Sequence, residues 1–221
     1  MPHSLYVFDA YGTLFDVHSA VARHARELGP QAARLSEVWR SKQLEYTWVR
    51  TLAGAYRDFG ALTADALDYA GALCGGLSPQ LRARLLDAYG ALDAFPEVAA
   101  TLDALKARGC RTAILSNGTP AMLAAAVRAA GLEGRLDAVL SVDSLRLYKT
   151  APQAYALVGN HFATSPHEVT FLSSNRWDIA GAQAFGFRTI WVNRSGLPDE
   201  YGELAPAAVV TSLERLIALD G

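Results

Sequence analysis

The chain has 221 residues, of which 51% are hydrophobic and 19% charged, with a formal net charge of −2 at pH 7. This length can bury a full core, and the near-neutral charge, without a run of Lys and Arg, disfavours nucleic acid as a partner. No stretch approaches the roughly 18 apolar residues of a membrane span, and the two cysteines, Cys74 and Cys110, lack metal-ligand spacing and indicate reduced thiols.

The first predicted element is a buried strand at Leu5–Phe8, followed at once by Asp9 and a glycine turn at Gly12. A carboxylate at the carboxyl end of such a strand lies where open α/β sheets bind ligands, and it can act as a nucleophile. Taken alone, the segment also fits an aspartate that caps the next turn. Asp9 interrupts the apolar stretch that could begin a secretory signal, so we expect a cytoplasmic protein.

Helical periodicity dominates residues 16–95. The segment Val17–Leu28 is amphipathic, and Ser36 resembles the N-cap of a long helix. Further helices are predicted near 63–74 and 78–90. The long helix is predicted to bury one continuous face, which comprises Leu44, Trp48, Leu52, Ala55 and Phe59.

Arg40 lies on the same stripe as Leu44 and Trp48, one and two turns before them. A guanidinium on a buried face is costly unless it meets an anion. The anion could be a ligand, or it could be Glu37 or Glu45 in a salt bridge within the chain.

From Glu97 onward, helices and strands alternate. Helices are predicted at 98–108, 120–130, 152–160 and 178–185, and strands at 111–115, 138–142, 169–173 and 188–192. This alternation predicts an α/β fold with a doubly wound parallel sheet, which the first strand joins. Residues 1–15 and 96–221 would then form the core, and residues 16–95 an all-helical cap inserted over the strand tips.

Polar side chains follow each of these predicted strands. Because the carboxyl ends of parallel strands share one edge of the sheet, these side chains should face one crevice. They are Asp9, Ser116, Asn117, Lys149, Ser173, Asn175 and Asp178. Any one of them alone is more typical of a turn or a cap, but several strand tips together indicate an active site.

These residues resemble the motifs of the haloacid dehalogenase superfamily, a Rossmann-like α/β core with a helical cap. The matching motifs are Asp9-x-Tyr11-Gly12-Thr13-Leu14, Ser116-Asn117, Lys149 and Ser173-Ser174-Asn175-x-Trp177-Asp178. The segment Trp39-Arg40-x-Lys42-Gln43-Leu44 is similar to the cap of the (S)-2-haloacid dehalogenases. The resemblance implies hydrolysis of short (S)-2-haloacids to (R)-2-hydroxyacids and halide through an aspartyl ester.

Phosphatases of the superfamily carry a second aspartate two residues after the nucleophile, where this chain has Tyr11. They also hold Mg²⁺ with acidic residues of the fourth motif, where Ser173, Ser174 and Asn175 stand here. Since halide leaves without a proton, these departures fit dehalogenation, and we expect neither a metal nor another cofactor.

The resemblance makes Asp9 the nucleophile and Asp178 the group that activates water, with Lys149 keeping both carboxylates ionised. It implies further catalytic roles for Thr13, beside Asp9, and for Arg40 as the halide acceptor, with Ser173 and Asn175 positioning the water. Substrate-binding residues implied in the same way are Tyr11, Leu44, Phe59, Ser116, Asn117, Tyr155 and Trp177. Related enzymes also suggest a homodimer.

Three alternatives remain open from the sequence. The same mechanism could act on another electrophile that bears a carboxylate, such as fluoroacetate or azetidine-2-carboxylate. A Mg²⁺-dependent phosphatase and a catalytically silent binding protein are the others. Tyr11 counts against the phosphatase, and the presence of Asp9, Lys149 and Asp178 together counts against the silent protein.

Overall fold

The computed structural model describes residues 4–219 of the chain, so the first three and last two residues of the predicted core lie outside it. Its sheet has six parallel strands in the order β3-β2-β1-β4-β5-β6. The strands are β1 Leu5–Phe8, β2 Arg111–Ser116, β3 Ala138–Ser141, β4 Val169–Ser173, β5 Arg188–Val192 and β6 Ala208–Val210. The predicted fold class, a doubly wound parallel sheet, is confirmed.

Within the described residues, five α-helices lie between β1 and residue 90, and five more alternate with or follow the later strands. The first five are α1 Ser19–Ala22, α2 Ala25–Leu28, α3 Ala32–Leu52, α4 Phe59–Leu73 and α5 Pro79–Tyr89. The others are α6 Val98–Ala107, α7 Pro120–Ala129, α8 Pro152–Phe162, α9 Arg176–Phe185 and α10 Leu216–Leu219. Across residues 4–219, none of the helices combines the length and apolarity needed to cross a bilayer.

The central strand, β1, determines where the site forms. Strands β2 and β3 lie on one side of β1, whereas β4, β5 and β6 lie on its other side, so the direction in which strands are added reverses at β1. Phe8 is in register with both Ile114 and Leu172, and the amide of Asp9 extends the ladder to the Leu172 carbonyl at 2.9 Å. Such a reversal of direction opens a crevice beyond the strand ends.

The prediction for the start of the long helix is wrong. The amphipathic segment Val17–Leu28 forms two short helices, and α3 begins at Ala32, so Ser36 is not its N-cap. The Ser36 hydroxyl is instead 2.7 Å from Nδ1 of His18. Because the Ser36 hydroxyl has this tertiary hydrogen-bond partner, it can lie inside the helix without capping the helix N-terminus.

The predicted apolar face of the long helix is also wrong. Helix α3 ends at Leu52, whose side chain is 88% exposed, and Phe59 begins α4. The face that α3 buries contains Gln43 and Thr47, whose polar atoms are hydrogen-bonded inside the protein. Hydrophobic spacing alone cannot identify a helix face that is buried through satisfied polar groups.

Candidate active site

The turn after β1 holds Asp9 at the edge of the sheet. Gly12 has a φ of +95°, a conformation that L side chains rarely adopt, and the amides of Leu14 and Phe15 both donate to the Ala10 carbonyl. This compact turn brings the buried Thr13 hydroxyl to 3.2 Å from Oδ2 of Asp9. The same hydroxyl accepts a hydrogen bond from the Ser174 amide at 2.8 Å, which links the turn to the end of β4.

Lys149 lies between two carboxylates. Its Nζ is 3.1 Å from Oδ1 of Asp9 and 2.9 Å from Oδ2 of Asp178, and its side chain is fully buried. Its backbone amide donates to Oδ1 of Asn117 at 3.0 Å, which fixes the loop that carries it. Burial disfavours the charged amine, but the attraction of Asp178 and Asp9 outweighs burial and raises the pKa of Lys149.

Asp178, in the first turn of α9, is completely buried. Burial raises its pKa to about 6, although Lys149 and the Tyr155 hydroxyl, which donates to its Oδ1 at 2.8 Å, act in the opposite direction. Burial also raises the pKa of Tyr155 well above its ordinary value, so Tyr155 remains a hydrogen-bond donor. Asp178 is therefore a carboxylate that can exchange a proton near neutral pH.

Arg40 reaches the site from α3. Its guanidinium donates to the Tyr11 carbonyl at 2.9 Å, to Oδ1 of Asn175 at 3.3 Å and to Oε1 of Gln43 at 2.8 Å. These acceptors are all neutral. Within residues 4–219 the salt bridge considered with Glu37 or Glu45 is absent, since Glu45 pairs with Lys42. The charge of Arg40 is therefore available to an anionic ligand.

A small cavity of about 10 Å³, roughly the space of one water molecule, lies directly in front of Asp9. Its walls are formed by Asp9, Tyr11, Arg40, Leu44, Phe59, Ser116, Asn117 and Trp177. Apolar walls with one cation and a few polar groups suit a small organic anion.

Six of the residues singled out from the sequence lie behind the cavity wall, and two of them are Lys149 and Asp178. Thr13 contacts Asp9 from the turn, and Tyr155 lies behind Asp178. The Ser173 hydroxyl accepts the Asn175 amide at 3.1 Å, and Nδ2 of Asn175 donates to Oδ2 of Asp9 at 2.9 Å. These residues surround the carboxylates of Asp9 and Asp178 and do not line the cavity.

The family model described as haloacid dehalogenase-like hydrolase matches residues 3–186 of the chain. The chain belongs to the haloacid dehalogenase-like hydrolases. This confirms the family resemblance drawn from the sequence motifs.

The alignments with curated relatives extend over nearly the whole of this hydrolase. (S)-2-haloacid dehalogenase 1 of Pseudomonas sp. (strain CBS-3) is 49% identical over 211 residues, which is 95% of this chain and 93% of that protein. Haloacetate dehalogenase H-2 of Moraxella sp. (strain B) is 41% identical over 217 residues, which is 96% of this chain and 95% of that protein.

One solved structure is informative about chemistry. It is the L-2-haloacid dehalogenase from Xanthobacter autotrophicus with chloropropionic acid covalently bound. It is 38% identical to this hydrolase and superimposes with a TM-score of 0.86, covering 98% of this chain and 97% of that one.

Two residues that were given no role from the sequence, Gln43 and Tyr89, support Arg40 in this hydrolase. Gln43 is fully buried, and besides Arg40 it bonds Thr63 at 2.6 Å and Tyr89 at 3.1 Å. The Tyr89 ring stacks on Tyr11 with centroids 5.7 Å apart. The i, i+3 spacing of Arg40 and Gln43 could have identified the first of these. No sequence pattern marks Tyr89.

The site already contains a cation between its carboxylates. Lys149 Nζ contacts both Asp9 and Asp178, and residues 4–219 contain no cluster of three or more His, Cys, Asp or Glu side chains suited to a metal ion. The donor groups near Asp9 are thus a poor match to the oxygen ligands that Mg²⁺ requires.

Proposed function

We propose that this chain hydrolyses the carbon–halogen bond of short (S)-2-haloacids, giving (R)-2-hydroxyacids and halide through an ester on Asp9. The observation that carries this proposal is the position of Asp9 in a small cavity with Arg40, whose hydrogen-bond acceptors are all neutral, while Lys149 contacts one Asp9 oxygen and Asn175 the other. The (S)-2-haloacid dehalogenases among its relatives support the substrate class.

In the first step an oxygen of Asp9 attacks C2 of the substrate from the side opposite the halogen. A C–O bond forms, and the C–halogen bond breaks with its electron pair leaving on the halide. Attack from the back inverts the configuration at C2. Arg40 and Asn117, with the Trp177 ring, receive the halide, and no proton is needed for its departure.

In the second step water attacks Cγ of the Asp9 ester and gives a proton to Asp178. The bond between Cγ and the ester oxygen then breaks, and the departing 2-hydroxyacid takes that proton from Asp178. The second proton of the water is released to solvent as Asp9 returns to its carboxylate form. The water oxygen remains in the Asp9 carboxylate, and the former Asp9 oxygen leaves as the product hydroxyl. Ser173 and Asn175 position the water, and Lys149 stabilises the negative charge on Asp178 and, once the ester is cleaved, on Asp9.

The remaining cavity residues hold the substrate. We assign its carboxylate to Ser116 and the backbone amides after Asp9, and its apolar part to Tyr11, Leu44 and Phe59. Burial raises the pKa of Tyr11 far above its ordinary value. Tyr11 therefore cannot act as the acid that a phosphatase needs at this position, so it serves as a wall.

Haloacetates are a second candidate substrate. A relative named haloacetate dehalogenase shares 41% identity with this chain, and a haloacetate presents the same carboxylate and electrophilic carbon. Azetidine-2-carboxylate would require the same attack by Asp9 on a strained ring.

We further propose that residues 16–95 act as a cap, that the enzyme is a cytoplasmic homodimer, and that it requires no cofactor. The contribution of Arg40 from α3 supports the cap assignment. Sedimentation velocity at micromolar concentration should give a particle of twice the 23.7 kDa chain mass. A 23.7 kDa particle would contradict the dimer and leave the chemistry unaffected.

The function is tested by halide release from (S)-2-chloropropionate, (R)-2-chloropropionate and fluoroacetate, with EDTA present and para-nitrophenyl phosphate in parallel. We expect metal-independent release from the S enantiomer and no phosphate release. Halide release from fluoroacetate alone would favour the second candidate. Mg²⁺-dependent phosphate release would contradict the proposal.

A further inference from the structure

Arg194 lies outside every motif considered so far, two residues after β5, and it contacts the turn that carries the nucleophile. Its Nη2 donates to the carbonyl oxygen of Thr13 at 3.0 Å, and its Nη1 forms an ion pair with Glu97. Both side chains are largely buried, Arg194 being 17% and Glu97 5% exposed. The guanidinium also stacks on the Phe95 ring, 3.8 Å from its centroid.

The Arg194–Glu97 pair is ionised. Burial opposes the charge on Glu97, but the hydrogen bond from its own backbone amide and the contact with Arg194 outweigh burial and lower its pKa. A buried ion pair contributes little net stability compared with apolar residues of the same volume. Its presence here is better explained by the geometry that it imposes than by the free energy of folding.

Arg194 joins the two segments through which the helical residues leave and re-enter the core. These segments pair with each other, because the Phe95 amide donates to the Leu14 carbonyl at 3.0 Å and the Asp16 amide to the Asp93 carbonyl at 2.8 Å. Arg194 bonds the outgoing segment and stacks on the returning one.

We propose that Arg194 is a positioning residue for the nucleophile, and that Glu97 holds Arg194 in place. Fixing the Thr13 peptide directs the Thr13 hydroxyl at Oδ2 of Asp9. Misplacement of a reacting group by about 1 Å can cost about 100-fold in rate. The inference rests on the proposed function, in which Asp9 attacks the substrate.

The test compares Arg194→Lys with Arg135→Lys. Lysine keeps a positive charge beside the carboxylate but lacks the planar fork that bonds two partners. Arg135 is a matched control, because it likewise bonds one carboxylate, Asp103, and one backbone carbonyl, that of Gly131, near the start of β3. We expect kcat to fall about tenfold in Arg194→Lys with KM within about twofold, and to stay at the wild-type value in Arg135→Lys. A lower Tm with unchanged kcat in Arg194→Lys would show a merely structural role.

A double-mutant cycle shows whether the effect passes through Thr13. Thr13→Val removes the hydroxyl, so Arg194 then has nothing to direct at Asp9. The double variant should match Thr13→Val alone in kcat, whereas independent roles would multiply the two losses. Multiplicative losses would overturn the proposal.

Hydrogen–deuterium exchange supplies a readout that needs no substrate. The amides of Thr13, Leu14 and Phe15 donate to the Ala10 carbonyl. They should exchange faster in Arg194→Lys than in wild type and in Arg135→Lys. If wild-type enzyme released no halide, the proposed function would fail, while unchanged exchange in this turn would separately overturn the role of Arg194.

Discussion

The Asp9 carboxylate receives hydrogen bonds from three separate parts of the chain. Thr13 donates from the same turn, Lys149 from the loop after β3, and Asn175 from the end of β4. These bonds hold both oxygens in fixed directions, and the tip of Asp9 is presented to the cavity. A nucleophile that is oriented before substrate arrives needs little reorganisation during attack.

Asp9→Asn should lower kcat at least about 1000-fold, because the amide cannot form the ester. Halide release from (S)-2-chloropropionate measures the loss, and circular dichroism verifies the fold. Asp16→Asn is the matched control. Oδ1 of Asp16 accepts the His18 amide, a bond that asparagine can also make, so this variant should keep its activity. Turnover near the wild-type rate in Asp9→Asn would refute the covalent route.

Asp178 should set the acid limb of the pH profile. Burial raises its pKa to about 6, and it must be ionised to take a proton from water, so kcat should fall as the pH drops below about 6. The Tyr155 hydrogen bond lowers this pKa. Tyr155→Phe should therefore move the acid limb to higher pH. A limb that stays in place would mean that Asp178 is not the group that titrates.

Lys149→Met tests the electrostatics of the site through stability. The raised pKa of Lys149 means that its stabilisation is present at neutral pH and is lost only as pH rises through that value. Removing the amine leaves two buried carboxylates unpaired and should cost about 3–5 kcal/mol at pH 8.

The loss of unfolding free energy in Lys149→Met should be smaller at pH 5, where Asp178 takes up a proton. Thermal unfolding at the two pH values measures this change. Lys106→Met, at an exposed residue that bonds the Gly134 carbonyl, is the control and should show no such pH dependence. A deficit that is independent of pH would argue against coupling between the carboxylates.

At the scale of elements, the loop that carries Lys149 is attached to the helical segment. The Tyr148 amide donates to the Thr51 hydroxyl at 3.1 Å, the Tyr148 hydroxyl donates to the Arg57 carbonyl, and Tyr56 bonds Asp143. The link between α3 and α4 thus helps to position a loop of the core.

Tyr148→Phe should cost about 1 kcal/mol, since it leaves the Arg57 carbonyl without this donor. For a chain of this size the expected fall in Tm is about 2–4 °C. Differential scanning calorimetry measures it, with Tyr69→Phe, at a side chain 43% exposed, as the control. Equal Tm values for the two variants would contradict this role of Tyr148.

The sequence predicted the strands well and one helix face badly. Strands buried on both faces are continuous apolar runs bounded by polar residues, so five of them were placed to within a residue. The three residues of β6, just after Pro206, carry too little pattern to detect. The buried face of α3 depends on Gln43 and on its tertiary hydrogen bonds, which no local periodicity records.

At the scale of the whole molecule, the buried apolar residues of the sheet and of α3–α5 form one continuous cluster. The strand tips could be predicted because parallel topology forces them to converge. The buried pair of Arg194 and Glu97 could not be predicted, since single charged residues are usually exposed and have no characteristic spacing in the sequence. Their contact with the nucleophile turn exists only after the chain has folded.

The most direct test of the ester on Asp9 is a single turnover in H₂¹⁸O, with enzyme in excess over (S)-2-chloropropionate. Mass spectrometry then follows the label in the proteolytic peptide that contains Asp9 and in the 2-hydroxypropionate. We expect one ¹⁸O atom in the Asp9 peptide and none in the product hydroxyl, because water attacks the ester carbonyl. Label in the product hydroxyl with an unlabelled Asp9 peptide would show direct attack of water on C2 and contradict the mechanism.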